Sequence, residues 1–164
     1  MRMRVLAIDP GYGRCGVAVL EGDGSRSTLL YSDCIETTPK EEFSGRLLAV
    51  GNEVARLIGI YAPECVAIEE VYFSNNQKTA LQVAEVRGML LYLAASHHLP
   101  LSQVNPSRVK IALTGEGRAT KAQVIKMVGR LVHLKKTPAH DDEYDAIALG
   151  LTALAEAKYR ITRE

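Results

Sequence analysis

The sequence predicts an α/β fold in which a mixed five-stranded sheet is flanked by helices. Three observations lead there. The chain opens with three apolar runs separated by glycine-bearing turns, two further short apolar runs alternate with stretches of helical period, and the remainder reads as helix. Strands in a meander, followed by helix, strand, helix, strand and helices, imply a mixed sheet with helices packed on its faces. At 164 residues, 47% apolar and 24% charged, the chain suits one domain spanning 1–164 and excludes a disordered or fibrous protein.

Arg4 to Ile8, roughly Cys15 to Leu20 and Thr28 to Ile35 are the opening strands. They reverse at Gly11-Tyr12-Gly13 and at Gly22-Asp23-Gly24-Ser25, as an antiparallel meander would. From Phe43 to Tyr61 the period changes: Leu47, Leu48, Val50, Val54, Leu57, Ile58 and Tyr61 recur at helical spacing, and Pro63 stops the helix. Cys65 to Glu69 is short, bounded and apolar, the pattern of a central strand. Thr79 to His97 is apolar on more than one face, which implies burial between layers or contact with a second copy of the chain. Ala84, Gly88, Ala95 and Ser96 would let another helix approach closely, so a homodimer is the favoured reading. Leu99 to Val104 supplies the last strand and Pro106 to Leu113 a short helix. After the turn Thr114 to Gly117, Lys121 to about Val132 and Asp142 to about Tyr159 close the chain as helices.

Cys15, Cys34 and Cys65 are odd in number, far apart and set in strands, as buried thiols in a reducing compartment would be. The apolar run after Arg4 is too short for a signal peptide or a membrane span, so a cytoplasmic location is expected.

The chemistry resides in acids. Asp9 ends the first apolar run and is followed at once by Pro10-Gly11, which fixes a carboxylate where a strand leaves the core. In that strand Val5, Ala7 and Asp9 share one face; by the same parity Ala67 and Glu69 share a face of the Cys65 strand. If the two strands are parallel neighbours, both carboxylates emerge at the edge where open α/β sheets place ligands. Asp142 and Asp145, three residues apart, occupy one side of the last helix. Four acids gathered on one edge repel one another unless cations join them, and oxygen-only ligands favour magnesium or manganese over zinc. Other roles stand beside this: Asp141 as the helix cap, Asp142 as a first-turn acid, Glu70 as a residue orienting a partner behind the ligands, and His140 as a solvated side chain as readily as a ligand.

From Asn105 to Lys136 eight basic residues stand against the single acid Glu116, a local field suited to a phosphate backbone in a chain whose net charge is only +1. Thr120-Lys121-Ala122-Gln123 has capping-box spacing, which puts Lys121 in a first helical turn where the dipole disfavours a cation and a bound phosphate would favour it. Arg118, Lys110 and Arg108 are its companions. Tyr72 and Phe73, just beyond Glu69, would either stack on a splayed base or anchor their loop.

Ile8-Asp9-Pro10-Gly11 with Gly16, Ala67-Ile68-Glu69-Glu70-Val71-Tyr72, Thr79-Ala80-Leu81 with Arg87-Gly88, Arg108-Val109-Lys110, Lys121-Ala122-Gln123-Val124 and Asp142 to Asp145 before Ala146-Ile147-Ala148 form an ordered set. Taken together they resemble the RuvC Holliday-junction resolvases of bacteria, from about residue 4 to residue 157. The resemblance implies a ribonuclease H-like fold and a homodimer. It also implies paired magnesium-dependent nicks, placed symmetrically at a four-way DNA junction, that leave 5′-phosphate and 3′-hydroxyl ends. It assigns Asp9, Glu69, Asp142 and Asp145 as catalytic acids holding Mg2+, two ions per subunit with Mn2+ as a substitute. Lys110 and Lys121 would serve the scissile backbone, the aromatic after Glu69 would assist junction opening, and a RuvA–RuvB branch-migration complex would be the partner. Tyr72 stands where many relatives carry phenylalanine, and Tyr144 where small residues are common. Related RNA-processing nucleases of the YqgF type, an actin-like phosphotransferase lobe and a junction-binding protein without chemistry are the competing readings. Junction against structured-RNA cleavage, ATP binding, and an Asp9→Asn variant, respectively, separate them from the first.

Overall fold

The structure, a computed structural model, describes residues 2–23, 25–70 and 77–161. Three strands open it: β1 (Met3–Asp9), β2 (Arg14–Gly22) and β3 (Ser27–Glu36). Helix α1 (Phe43–Tyr61), strand β4 (Cys65–Glu69), helix α2 (Gln77–Ser96) and strand β5 (Leu101–Val104) follow. Helices α3 (Pro106–Thr114), α4 (Lys121–Leu131) and α5 (Asp141–Ile161) end the chain. The order and boundaries agree with the periodicity of the sequence to within a few residues.

The sheet order is β3-β2-β1-β4-β5, antiparallel in the opening meander and parallel from β1 through β4 to β5. The parallel pairing of β1 and β4, required for the acids to meet, runs in register from Val5↔Cys65 to Ile8↔Ile68.

Side-chain alternation divides the core in two. On one face Val5, Ala7, Ala18, Leu20 and Ala67 pack against α3, α4 and α5. On the other, Leu6, Ile8, Val17, Val19, Val66 and Ile68 pack against α1 and α2. Helix α5 lies close on its face because Gly150 has no side chain, where a Cβ would stand 2.3 Å from a methyl of Leu20.

Helix α2 is not buried all round. Val86, Leu90 and Ala94 are in the core, while Leu81 and Tyr92 are 65% and 72% exposed. Leu81, Glu85, Gly88, Tyr92 and Ala95 all lie on its exposed side, at the three- and four-residue spacing of a single stripe. The expectation of uniformly buried thiols needs correction: Cys15 is buried, but Cys34 and Cys65 are only partly so, and all three are free. The cap assigned to Asp141 is corrected too, since α5 begins at Asp141 and its first turn holds Asp141, Asp142 and Glu143. No helix among the described residues is long and apolar enough to cross a membrane.

Candidate active site

Three elements deliver the acids. Asp9 is the last residue of β1 and Glu69 the last of β4, so the parallel register brings both to the same edge, on the α5 face. On the other side of Asp9, β2 contributes Gly16 as its register partner. The first turn of α5 rests on that glycine: a Cβ at Gly16 would stand 1.9 Å from the carbonyl oxygen of Asp142. Any side chain there would lift Asp142 and Asp145 away from Asp9. The turn after Asp9 is held from behind by Arg46, which is buried, donates to the Thr37 hydroxyl at 2.9 Å and to the Tyr12 carbonyl at 3.3 Å, and lies 4.7 Å above the Tyr12 ring.

The electrostatics show that these acids share one space. Burial first, then the charges of Glu69, Asp145 and Asp142, push the Asp9 carboxyl up to about 8. Glu69 moves in the same direction, again through burial and then Asp145, and it lies close enough to Asp9 to share a proton. Asp145 is also raised, by burial first, although its hydrogen bond to Lys121 pulls the other way.

Lys121 Nζ stands 3.0 Å from Asp145 Oδ2 and 3.3 Å from Asp141 Oδ2. Partial burial alone would lower this lysine, yet its bonds to Asp145 and Asp141 outweigh that and hold it protonated. The expected capping box is present, with the Thr120 amide donating to Gln123 Oε1 at 2.7 Å and Gln123 returning its own amide to the Thr120 hydroxyl at 3.3 Å. It fixes the first turn of α4 and so the start of the Lys121 side chain.

Among the described residues no three carboxylate, imidazole or thiol groups stand in a ready coordination shell. A shared proton and Lys121 supply part of the neutralisation that metal ions would supply. The donor set nevertheless fits hard divalent cations: every candidate ligand is a carboxylate oxygen, and carboxyls held above their ordinary range by burial first and then by one another's charge mark a place short of positive charge.

Two residues that the sequence reading passed over belong to this neighbourhood. Arg14, at the start of β2, brings Nη1 to 3.8 Å from Asp142 Oδ2 and bonds His140 at 3.2 Å, while the other nitrogen of His140 lies 2.8 Å from Glu36. His140 is therefore tied into a peripheral network. Glu143, only 1% exposed, accepts a 2.6 Å hydrogen bond from the Ser32 hydroxyl and has Lys136 Nζ at 3.9 Å, which fastens the first turn of α5 to β3. Helical spacing carries a signal for it, since Glu143 continues the buried stripe of Ala146, Ile147, Gly150 and Leu154 backwards by one turn.

The remaining candidates divide. Glu70 follows β4, with its amide bonded to the Val104 carbonyl at 2.9 Å. Arg118 is exposed in the turn before Thr120, next to the Lys121 end of α4, and Lys110 is half-buried on α3. Arg108 does not join the site: it pairs with Glu156 at 2.7 Å, eleven residues beyond Asp145 on α5, or roughly 16 Å along the helix. Tyr72 and Phe73 lie outside the described residues.

Residues 5–153 match the family model described as "Crossover junction endodeoxyribonuclease RuvC". The curated protein of that name from Petrotoga mobilis is 39% identical over 158 residues, covering 96% of this chain and 95% of the relative. Its counterpart from Leifsonia xyli is 43% identical over 152 residues, 92% of this chain and 73% of the relative. Among solved structures, "T. thermophilus RuvC in complex with Holliday junction substrate" is similar with a TM-score of 0.90 at 31% identity, with 96% of each chain covered. The yeast mitochondrial Holliday junction resolvase Ydc2 is similar in fold, with a TM-score of 0.71 at 15% identity over 98% of this chain and 82% of that one.

Proposed function

The chain belongs to the RuvC family of crossover junction endodeoxyribonucleases and has its ribonuclease H-like fold; on that premise we propose that it resolves Holliday junctions by paired, symmetric, magnesium-dependent hydrolysis of phosphodiester bonds. The nicks leave 5′-phosphate and 3′-hydroxyl ends, in recombination and DNA repair, with residues 1–164 acting as one nuclease domain. The observation that supports this reading best is the meeting of Asp9, Glu69, Asp142 and Asp145, from two parallel strand ends and a helix start, in one partly buried, mutually repelling group.

Those four carboxylates would hold two Mg2+ ions, with Mn2+ as a substitute. When bound, the ions supply Lewis-acid charge to the scissile phosphate and a nucleophilic water at neutral pH. The protein does the rest by position. Asp9 and Glu69, fixed at strand ends, define the rigid side of the site, and Asp142 and Asp145 close it from α5. Lys121, kept at the rim by Asp141 and Asp145, presents a cation to the phosphate backbone, and Asp141 retains it when Asp145 turns to another cation. Arg118, Lys110 and Glu70 extend the contact or steady it, and Tyr72 or Phe73 would stack on an unpaired base.

A homodimer gives the symmetry that paired nicks require, because two identical sites related by an axis meet equivalent places on the junction. The exposed apolar stripe of α2 supports it. A RuvA–RuvB branch-migration complex is the proposed partner in a cytoplasmic setting.

The test is a labelled synthetic four-way junction incubated with the protein and Mg2+. Paired incisions that ligase reseals are expected, whereas Asp9→Asn should bind the junction and cut it roughly a thousandfold or more slowly. Preferential cleavage of structured RNA, or binding without cleavage by the wild-type protein, would overturn the reading.

A further inference from the structure

At the other end of the sheet from the acids lies a cavity of about 590 Å3, lined among others by Arg2, Arg26, Thr28, Leu113, Arg130 and Leu151. Its walls come from four places: the residue before β1, the β2–β3 hairpin, the ends of α3 and α4, and the later turns of α5. Among the described residues that line it there is no carboxylate.

The three guanidinium groups differ from six other arginines of the described residues. Arg4, Arg14, Arg56 and Arg108 are paired with acids, Arg46 bonds Thr37 and Tyr12, and Arg87 bonds Gln103. Among the described residues, Arg2, Arg26 and Arg130 have no such side-chain partner. The acid of the neighbouring turn, Asp23, accepts from the amides of Ser25 and Arg26, at 2.9 and 3.0 Å, and from the Ser25 hydroxyl at 2.6 Å, so it serves to set those two residues at the rim. Three like charges brought together from distant parts of the chain, beside hydroxyls and over an aliphatic floor, call for an anion with both charge and an apolar edge.

We propose that this groove is a second phosphate-binding site, remote from the catalytic acids, that takes the phosphodiester backbone of a duplex DNA arm. Guanidinium forks and hydroxyls suit phosphate oxygens, and Leu113 and Leu151 suit the sugar faces between them. The distances allow it. Arg2 precedes β1 and Asp9 ends it, so groove and acids lie roughly 20 Å apart along the strand, well inside the roughly 34 Å rise of one duplex turn. The junction reading supplies the DNA; the groove itself is judged by binding alone.

The experiment measures anisotropy of a labelled four-way junction, without divalent metal, across a potassium chloride series. Protein bearing Arg2→Gln, Arg26→Gln and Arg130→Gln together is expected to bind about tenfold more weakly, and the slope of log Kd against log salt should fall by about 2 to 3. Lys40→Gln, an exposed lysine outside the groove, should leave the slope unchanged. Thermal melting verifies that the triple variant is folded. An unchanged slope in the triple variant overturns the proposal. So does an equal loss per charge with Lys40→Gln, or inorganic triphosphate that binds the wild type through these arginines while the junction slope stays the same. Absence of wild-type cleavage would sink the nuclease reading instead, and leave this binding comparison intact.

Discussion

At the scale of single residues, Asp9 carries the sharpest consequence. A free aspartate ionises near 3.8, and here burial and neighbouring acids raise the carboxyl to about 8. Between those values the folded chain keeps a proton that the unfolded chain has released, so the associated stability is complete below the lower value and is lost as pH rises through the higher one. Glu69 and Asp145 shift the same way. Metal-free protein should therefore melt at a lower temperature at about pH 8 than at about pH 5, and Mg2+ should recover most of the loss by favouring the ionised acids. A melting temperature flat across that interval in EDTA would contradict the picture. Glu143 is the complementary case, an acid of the same turn spent on packing. Glu143→Ala leaves the Ser32 hydroxyl without its acceptor and should lower the urea midpoint by the equivalent of about 2 kcal/mol, whereas Glu143→Gln, which still accepts that bond, should lose much less.

At the scale of elements, the first turn of α5 sits against β2 only because residue 16 is glycine. Gly16→Ala would drive a methyl group into the Asp142 carbonyl, and the turn would have to move. A destabilisation of about 3 kcal/mol, with cleavage falling far more than junction binding, is the expected result by chemical denaturation and paired activity assays. Most of this architecture was legible in the sequence. Alternation in β1 and β4 announced which face Asp9 and Glu69 share, and Thr120 with Gln123 announced the start of α4, because both signals are local and follow the backbone period. What the sequence concealed depends on contacts between distant segments. The basic run from Asn105 to Lys136 reads as an open positive field, yet Arg108 is paired with Glu156, Lys121 with Asp141 and Asp145, and Lys136 with Asp33. Arg14 and Glu143 escaped notice for the same reason, since His140 lies 126 residues from Arg14 and Ser32 lies 111 residues from Glu143.

At the scale of the whole molecule, the outer stripe of α2 is an exposed apolar surface among the described residues. Leu81 and Tyr92 are eleven residues apart, three helical turns, and so face the same way, with Gly88 between them and open space where its side chain would be. A second copy packed there would bury both. Leu81→Glu with Tyr92→Glu should convert a dimer to a monomer in sedimentation. Metal binding within each subunit, followed by calorimetry, should survive because Leu81 and Tyr92 belong to α2 and the acids to β1, β4 and α5. Paired incision of a junction should give way to uncoordinated single nicks. A monomeric wild-type protein at working concentrations would remove the basis for this expectation.

The sheet that separates the two cores is one strand thick, and Asp9 stands on the α5 side of it while Ile8, its immediate neighbour, belongs to the α1–α2 side. The acids and the exposed stripe of α2 thus belong to opposite sides of the same peptide bonds. If a second copy docks on α2, exchanging only Leu81, Glu85, Gly88 and Tyr92 for those of a relative should change the mate and leave the scissors in place, because the support that Arg46 of α1 gives to the turn after Asp9 is retained.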